Sequence, residues 1–600
     1  MKSAWLRRFV LAAVLLAPSG CGVSYDPAVT LPYLASDQLE GRGVGTPGLE
    51  TAANYIADHY RRAGLKPLPG LDGYFQPFDF VTSRKPAVNC ALLIAGRSLT
   101  LDKDYRPLAI SGEGAFAGPV VFAGYGITSA ANSYDDYAGL DVHGKVVLAM
   151  RFEPMDAEHK SLFAPIGFDW SDDARLENKI QTARKHGAAA LILITPAGLQ
   201  SSDPLTPFAP SSAASLGLPT IHVKRAAVEA ILFDGIHYDS SGKPIAQVRA
   251  GVVATGNVQI TRTTVRVENV AACVPGAGPH ADQYVIVGAH YDHLGRGAWG
   301  GILGPRGAIY HGADDNASGT ATLLELAQRA AAGPPRQRTV VFCSFTAEEE
   351  GLIGSRYFTA HPPLDLHRVV AMLNMDMVGR MKGNVIYVGG RGTAADLDAV
   401  VKRAADNGEV AVRPLPVGVG GRGGLGPSDH MSFALQKIPV LMLFSGMHAD
   451  YHRPSDTAEK INYTGIQKTA DFAGRLIDGL SAMDREPYDA SSDIASMTIG
   501  IVPASNDHLP GAALGIVAGY PADDTETGVP VRVVSSGSAA AAAGVQGGDV
   551  IRQWNGQDMI GLADLAQHLA TSHAGDIVTL KVQRGSKMLL LHAKLDERKE

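Results

Sequence analysis

The chain has 600 residues, 46% of them hydrophobic and 19% charged, with 68 glycines and a formal net charge of −7. That length exceeds what one hydrophobic core organises, so three or four domains of about 150 residues each are expected, and the composition excludes large-scale disorder. A net negative charge with no basic run beyond the N-terminus excludes nucleic acid from the expected partners.

Lys2, Arg7 and Arg8 precede the apolar run from Phe9 to Ala17, which is too short to span a bilayer and right for a signal-peptide core. Residues 1–21 are therefore expected to direct export to a bacterial periplasm or cell envelope, or secretion. Pro18-Ser19-Gly20-Cys21 resembles a lipoprotein cleavage box, with Pro18 where that pattern usually carries Leu. On that reading, lipid on Cys21 is the one membrane attachment; ordinary cleavage after Ala17-Pro18-Ser19 is the alternative. Cys90, Cys273 and Cys343 remain. They form no disulfide framework, although one bridge such as Cys90 with Cys273 is open.

Residues 28–110 carry a helical pattern from Leu49 to Arg62, with Gly64 placed as its stop. Residues 111–252 change texture to short Val- and Ile-rich strands, including Val146-Val-Leu-Ala-Met150 and Leu191-Ile-Leu-Ile194. From 255 to 482 strands alternate with helices, which predicts an α/β fold on a mixed, largely parallel sheet with helices on both faces. Residues 495–598 carry strands of their own, such as Val529–Val534 and Ile577–Gln583, and are expected to form a small separate module.

Ligands of open α/β sheets bind beyond the carboxyl ends of the strands. Polar residues follow the apolar runs here with regularity. Tyr284–His290 ends on a histidine with Asp292 two residues on; Thr339–Phe345 leads into Glu348-Glu349-Glu350; Val369–Met375 is followed by Asp376; and Ile438–Ser445 precedes Tyr451-His452. Between the first two runs lies Asp314-Asp315, ahead of a helical stretch from about Thr320 to Ala331. A lone strand-end histidine is more often hydrogen-bonded than ligating, and acids before a helix often only complement its dipole. Two histidines and three carboxylates converging on one edge have a more economical use, the holding of two divalent cations. Without cysteine among the donors, zinc is the first expectation, with Mn2+ or Co2+ as substitutes.

The segments Gly288-Ala-His-Tyr-Asp-His-Leu-Gly295, Gly312-Ala-Asp-Asp-Asn-Ala-Ser-Gly319, Ala347-Glu-Glu-Glu-Gly-Leu-Ile-Gly-Ser355, Leu373-Asn-Met-Asp-Met377 and Tyr451-His-Arg-Pro-Ser-Asp-Thr457 together resemble the M28 family of zinc metallopeptidases. The resemblance implies a zinc exopeptidase-like fold that hydrolyses peptide bonds, most simply as an aminopeptidase. It places His290 and Asp376 on one Zn2+, Glu349 and His452 on the other, and Asp315 between them, with Asp314 a neighbour only. Glu348 is then the general base, since an unbound carboxylate keeps the basicity that a metal-bound one has surrendered. Glu350 stands where the family more often has an apolar residue, and no catalytic role is expected for it. Asp292 is expected to hold the His290 ring, and Tyr451 either to donate a hydrogen bond to a tetrahedral oxyanion or to pack the pocket wall. His293, His311 and His448 fall outside the matched ligand positions and are expected to be hydrogen-bonded or solvated. Ser428-Asp429-His430 is not expected to be a triad, because adjacent side chains diverge.

Tyr137–Leu148 and Lys185–Ile192 resemble parts of the protease-associated (PA) domain inserted in some of these peptidases, which would restrict access to the cleft. Residues from about 510 to 595 resemble a PDZ domain, with Ala513-Leu-Gly-Ile516 at the expected carboxylate-binding loop, ready to take a peptide C-terminus. The alternatives are a carboxypeptidase or dipeptidase on the same site, with Arg380 and Arg422 near enough to grip a substrate carboxylate; more distantly a cyclising acyltransferase; and a non-catalytic scaffold working through its PA and PDZ parts.

Overall fold

A mixed eight-stranded sheet carries the larger share of the site-bearing segments, in the order Phe75–Pro86, Ile260–Val274, Thr339–Phe345, Tyr284–His290, Val369–Met375, Val440–Phe444, Val385–Gly389 and Ala411–Pro414. The structure is a computed structural model and describes residues 26–156, 158–164, 170–197, 199, 203–208, 215–232, 237–239, 243–245, 250–298, 303–415, 428–489, 512–518, 527–535, 537–561, 564–565, 568–569 and 572–597. The leader with Cys21, and Arg422, lie outside these residues.

The four central strands from Thr339–Phe345 to Val440–Phe444 run parallel, so their carboxyl ends share one edge. Alternate side chains go to opposite faces, as the two-residue period of a strand requires. Val285, Val287 and Ala289 enter a core with helices Pro47–Arg62, Gly319–Ala332 and Tyr463–Ala482. Ile286 enters the other, with helices Ile353–Ala360 and His430–Ala434. Helices thus cover both faces, as the alternation of strands and helices predicts. Thr46 caps the first of these helices, its hydroxyl accepting from the Leu49 amide, and Gly64 beyond its end has φ +80°. That left-handed position favours glycine.

A second sheet of eight strands contains the apolar runs Val146–Met150, Ala190–Ile194 and Thr220–Val223, all buried and all parallel. Burial on both sides is why these strands read as continuous hydrophobic runs. This sheet also takes in Ala91–Ile94, Arg97–Ser98, Tyr105–Pro107 and Val253–Val258, so it reaches outside the 111–252 expected from texture. The reason lies in the antiparallel pair Phe75–Pro86 and Ile260–Val274, two long strands that carry the chain out of one sheet and back. A third sheet, from Ile516 to Lys594, closes around Leu514, Val531, Ile551, Trp554, Leu580 and Val582.

Cys90, Cys273 and Cys343 are buried free thiols, so the bridge left open between Cys90 and Cys273 is absent. The Cys90 thiol instead donates to the Gln259 carbonyl at 3.1 Å.

Candidate metal centre

His290 is delivered by the last position of its strand, whereas three other site segments turn sharply beyond or beside theirs. Ala347, Met377 and His452 all have positive φ, at 53° each. Non-glycine residues in that region cost about 1 kcal/mol or more each, and such outliers cluster at functional sites. They redirect the chain just before Glu348, just after Asp376 and at His452. The Asp315-Asn316 peptide is cis. The Asn316 side chain, fully buried, donates to the Met375 carbonyl at 3.0 Å and accepts from the Gly319 and Met377 amides, tying the 313–319 turn to the end of Val369–Met375.

The convergence is close. His290 Nε2 lies 3.4 Å from Asp315 Oδ1 and 3.4 Å from Asp376 Oδ1. His452 Nε2 lies 3.2 Å from Asp315 Oδ2 and 3.1 Å from Glu349 Oε2. The two oxygens of one carboxylate therefore face two different sets of donors. Donors around a tetrahedral zinc, at bond lengths near 2.0–2.1 Å, are separated by about 3.3 Å. All four separations match that edge.

The charges argue the same way. Burial opposes ionisation of His290, yet Asp376, Glu348, Asp292 and Asp315 hold its pKa well above the usual imidazole range. Burial likewise opposes a charge on His452, and Glu349 and Asp315 outweigh it, raising the ring to about 11. Glu348 is pushed well up, by burial first and then by Asp376, Asp429 and Glu349. Asp429, also buried, is pushed up to about 7. A cluster that puts protons on its histidines and its spare carboxylates is one with more negative charge than its surroundings neutralise. Divalent cations meet that deficit, and the donor set of imidazole and carboxylate suits zinc.

All eight residues singled out from the sequence lie in this region, some with partners that the sequence does not disclose. Asp292 is fully buried, and its carboxylate accepts from the Glu348 and Glu349 amides at 3.1 and 3.4 Å. The His290 Nδ1 hydrogen bond goes to the Asp292 carbonyl at 3.2 Å, with the carboxylate oxygen at 3.7 Å. Asp292 thus steadies the Glu348-Glu349 turn as much as the ring. Tyr451 stacks on His452 with ring centres 3.8 Å apart, and burial together with Asp315, Glu349, Glu348 and Asp376 keeps its hydroxyl protonated. Glu350 is raised to about 8 by burial, Asp292 and Glu349.

Three further residues stand at the centre without having been singled out for a role there. His293 places Nδ1 at 2.6 Å from Glu349 Oε1. That is a hydrogen-bond length, too short for two donors on one zinc, although the ring also stands within 4.8 Å of the Asp315 and Glu349 oxygens. Asp456 accepts from the Asp314 and Asp315 amides at 2.9 and 3.1 Å. Arg42, fully buried, donates to the carbonyls of Tyr291 at 2.7 Å, His311 at 2.9 Å, Gly312 at 2.9 Å and Leu34. Its one sequence signal is an arginine set between Gly41 and Gly43, where the backbone passes close to Gly295.

Other expectations resolve simply. Asp314 accepts from the Gly379 amide at 2.6 Å and faces His448 at 3.1 Å. His311 bonds the Pro454 carbonyl and Asp37. Ser428 accepts from Asn374 at 2.8 Å, an arrangement with no triad in it. Arg380, buried, donates to Asp450 at 2.7 Å and to the Lys460 carbonyl at 3.2 Å.

Family models match along the chain: peptidase family M28 over residues 269–477, the PA domain over 116–231 and the PDZ domain over 498–595. The chain is 29% identical over 271 residues to leupeptin-inactivating enzyme 1 of Streptomyces exfoliatus, covering 45% of this chain and 55% of that protein. It is 24% identical over 325 residues to aminopeptidase YwaD of Bacillus subtilis (strain 168), covering 52% of this chain and 62% of that protein. The matched segments therefore span little more than half of these relatives' own lengths. Among solved structures, an aminopeptidase from Aneurinibacillus sp. strain AM-1 aligns with 22% identity and a TM-score of 0.41, covering 76% of this chain and 94% of that one.

Proposed function

We propose, from the peptidase family M28 domain that residues 269–477 form, that this protein is a zinc-dependent peptidase that removes N-terminal residues from peptides. The observation that carries the reading is the division of the Asp315 carboxylate, Oδ1 toward His290 and Asp376 and Oδ2 toward Glu349 and His452. His290 and Asp376 would hold one zinc, Glu349 and His452 a second, with Asp315 shared. Ions so placed acidify a water and polarise a carbonyl.

The chain's own residues do the rest. Glu348 accepts the proton at its carboxylate and returns it to the leaving amine, and cations at the centre would offset the neighbouring carboxylates that otherwise keep it protonated. Asp292 fixes the backbone of Glu348 and Glu349 through two amides, keeping base and ligand on separate tasks. Tyr451, protonated and stacked on His452, presents a donor to the developing oxyanion. The carboxypeptidase reading loses Arg380, whose guanidinium is committed to Asp450 and the Lys460 carbonyl.

The PA domain would limit substrates to short or unfolded chains, and the PDZ domain would take a peptide C-terminus. Export through residues 1–21, with lipid on Cys21, belongs to the same reading; among the described residues no helix is long and apolar enough to cross a membrane.

The test uses the chain lacking residues 1–21, its zinc content, and its action on free-amino and N-acetylated peptides beside the Glu348→Gln variant. Two zinc ions, rejection of acetylated peptides and a loss of about 100-fold or more in the variant are expected. Cleavage from the carboxyl end would replace the reading with a carboxypeptidase. Absence of both metal and activity would leave a scaffold.

A further inference from the structure

The peptidase sheet ends on the edge strand Ala411–Pro414. An exposed edge normally calls for cover, and one end of this strand is covered by the PDZ domain. Arg413 donates through one guanidinium nitrogen to Asp564 Oδ1 and through the other to the Asp558 carbonyl at 3.3 Å. Tyr387, paired with Arg413 across the neighbouring strand, donates its hydroxyl to the same Asp564 oxygen at 3.2 Å. The second oxygen, Oδ2, accepts from the Ile560 amide at 2.5 Å and from the Gly561 amide at 3.2 Å. One carboxylate, its side chain 4% exposed, therefore clasps the peptidase with one oxygen and orders its own loop with the other.

The ordered residue is Ile560. Its Cδ1 lies against Gly383, where a Cβ would meet it at 3.3 Å. Ile560 also packs on an apolar cluster of Met377, Val385, Tyr387, Met442 and Phe444, which Met447 and Tyr451 join from the side. Met377 directly follows Asp376, and Tyr451 directly precedes His452. The cluster on which Ile560 packs thus contains one residue that adjoins a candidate ligand, Met377, and carries a second, Tyr451, packed against it. A domain tethered only to capture peptides would not need a buried carboxylate committed to a neighbouring sheet.

We propose that the PDZ domain is a working part of the peptidase site, with Asp564 clamping the domain to Arg413 and Tyr387 and Ile560 acting as a positioning residue for Tyr451. The inference rests on the peptidase reading above. The apolar cluster on which both Ile560 and Tyr451 pack fixes the orientation of the Tyr451 ring, and an oxyanion donor loses its effect when displaced by a fraction of an ångström. Undocking the domain therefore weakens catalysis without touching a metal ligand. Whatever shifts the PDZ domain, including a peptide bound to it, would act on turnover through the same seam.

A double-mutant cycle separates this from passive packing. In the full chain lacking residues 1–21, Ile560→Ala is expected to lower kcat for a leucine anilide by about fivefold to tenfold, with KM and zinc content little changed. In a Tyr451→Phe background, which removes the hydroxyl, the same substitution should change kcat by less than about twofold. Arg413→Ala, which leaves Asp564 in place to accept from the Ile560 and Gly561 amides, should raise amide exchange in residues 411–415 and lower kcat. An Ile560→Ala effect of equal size in both backgrounds, or none in either, overturns the inference while leaving an active wild type to uphold the peptidase reading. A wild-type chain that binds zinc and cleaves nothing overturns both.

Discussion

Replacing Arg42 by Met removes a buried cation that holds two site loops to the N-terminal segment. The guanidinium serves the carbonyls of Tyr291, which lies between His290 and Asp292, and of Gly312, two residues before Asp314, together with those of Leu34 and His311. Each buried acceptor left without a donor costs about 1 kcal/mol or more. The Gly312 carbonyl keeps the Ala317 amide at 3.1 Å and His311 is half-buried, so the Leu34 and Tyr291 carbonyls are the two that lose their donor, about 3 kcal/mol together. Part of that is returned, because burial penalises the charge itself and lowers the Arg42 pKa to about 10 against the attraction of Asp292, Asp315, Asp456 and Glu349. A net loss of about 2 kcal/mol is a sizeable fraction of the 5–15 kcal/mol that ordinary domains possess. Urea denaturation of the zinc-loaded protein should show the transition of the peptidase domain moved to clearly lower urea in Arg42→Met. Arg42→Lys should fall between, since an ammonium retains the charge and cannot span four acceptors. Zinc release to a chromogenic chelator should quicken at least about tenfold in the Met variant, 1.4 kcal/mol being a factor of ten. Unchanged denaturation and zinc release in Arg42→Met would refute the reasoning, for the arginine would then be filling space.

Chelated protein should be less stable at pH 9 than at pH 6. The His452 ring is held at about 11 against a usual 6.5, so its contribution is complete below pH 6.5 and fades as pH rises toward 11; Glu349, held at about 2 against 4.5, contributes fully above pH 4.5 and fades only below it. A denaturation midpoint that does not fall between pH 6 and 9 would contradict the arrangement of these charges. Gly354→Ala should cost about 3 kcal/mol in denaturation experiments, because a Cβ there runs into the Thr346 carbonyl and the buried Asn269 amide, and neither has room to retreat; a change under about 1 kcal/mol would contradict the packing. Native protein lacking residues 1–21 should leave Cys90, Cys273 and Cys343 unmodified by a thiol reagent and expose all three on unfolding, burial having pushed the Cys273 thiol up to about 11 and the Cys343 thiol well above the usual range. Fewer than three thiols after unfolding without reductant would reinstate a bridge. Cys21→Ala should move the full-length protein from the membrane fraction to the soluble one on expression in a bacterium, and persistence in the membrane would remove the lipid reading.

The parts that could be read in the sequence are those where a local pattern and a functional residue coincide. His290 and Asp376 end or follow apolar runs, and once the runs are recognised as parallel strands their side chains must share an edge. Asp315 was legible as one of two acids before a helix, and Gly64 as a stop, because both signals lie within a turn of the element they mark. The insert was legible in Val146–Met150 and Ala190–Ile194, buried on both faces and so hydrophobic without interruption. Its outer strands were not, since Ala91–Ile94 has four residues and Arg97–Ser98 two, too few for any period to show. The residues that hold the site in place share a different property. Arg42 reaches Gly312 across 270 positions, Asp456 reaches Asp314 across 142, and Arg413 reaches Asp564 across 151. Such contacts leave no trace in the neighbourhood of either partner, and each has a buried charge, Arg42, Asp456 or Asp564, held by backbone groups or by side chains far off in the sequence. Composition sees an ordinary arginine or aspartate; only the topology shows that it has no water to turn to. Donors to a metal are thus found from strand ends, whereas the side chains that fix those donors within a few tenths of an ångström are found by asking which buried charges are shared between distant segments.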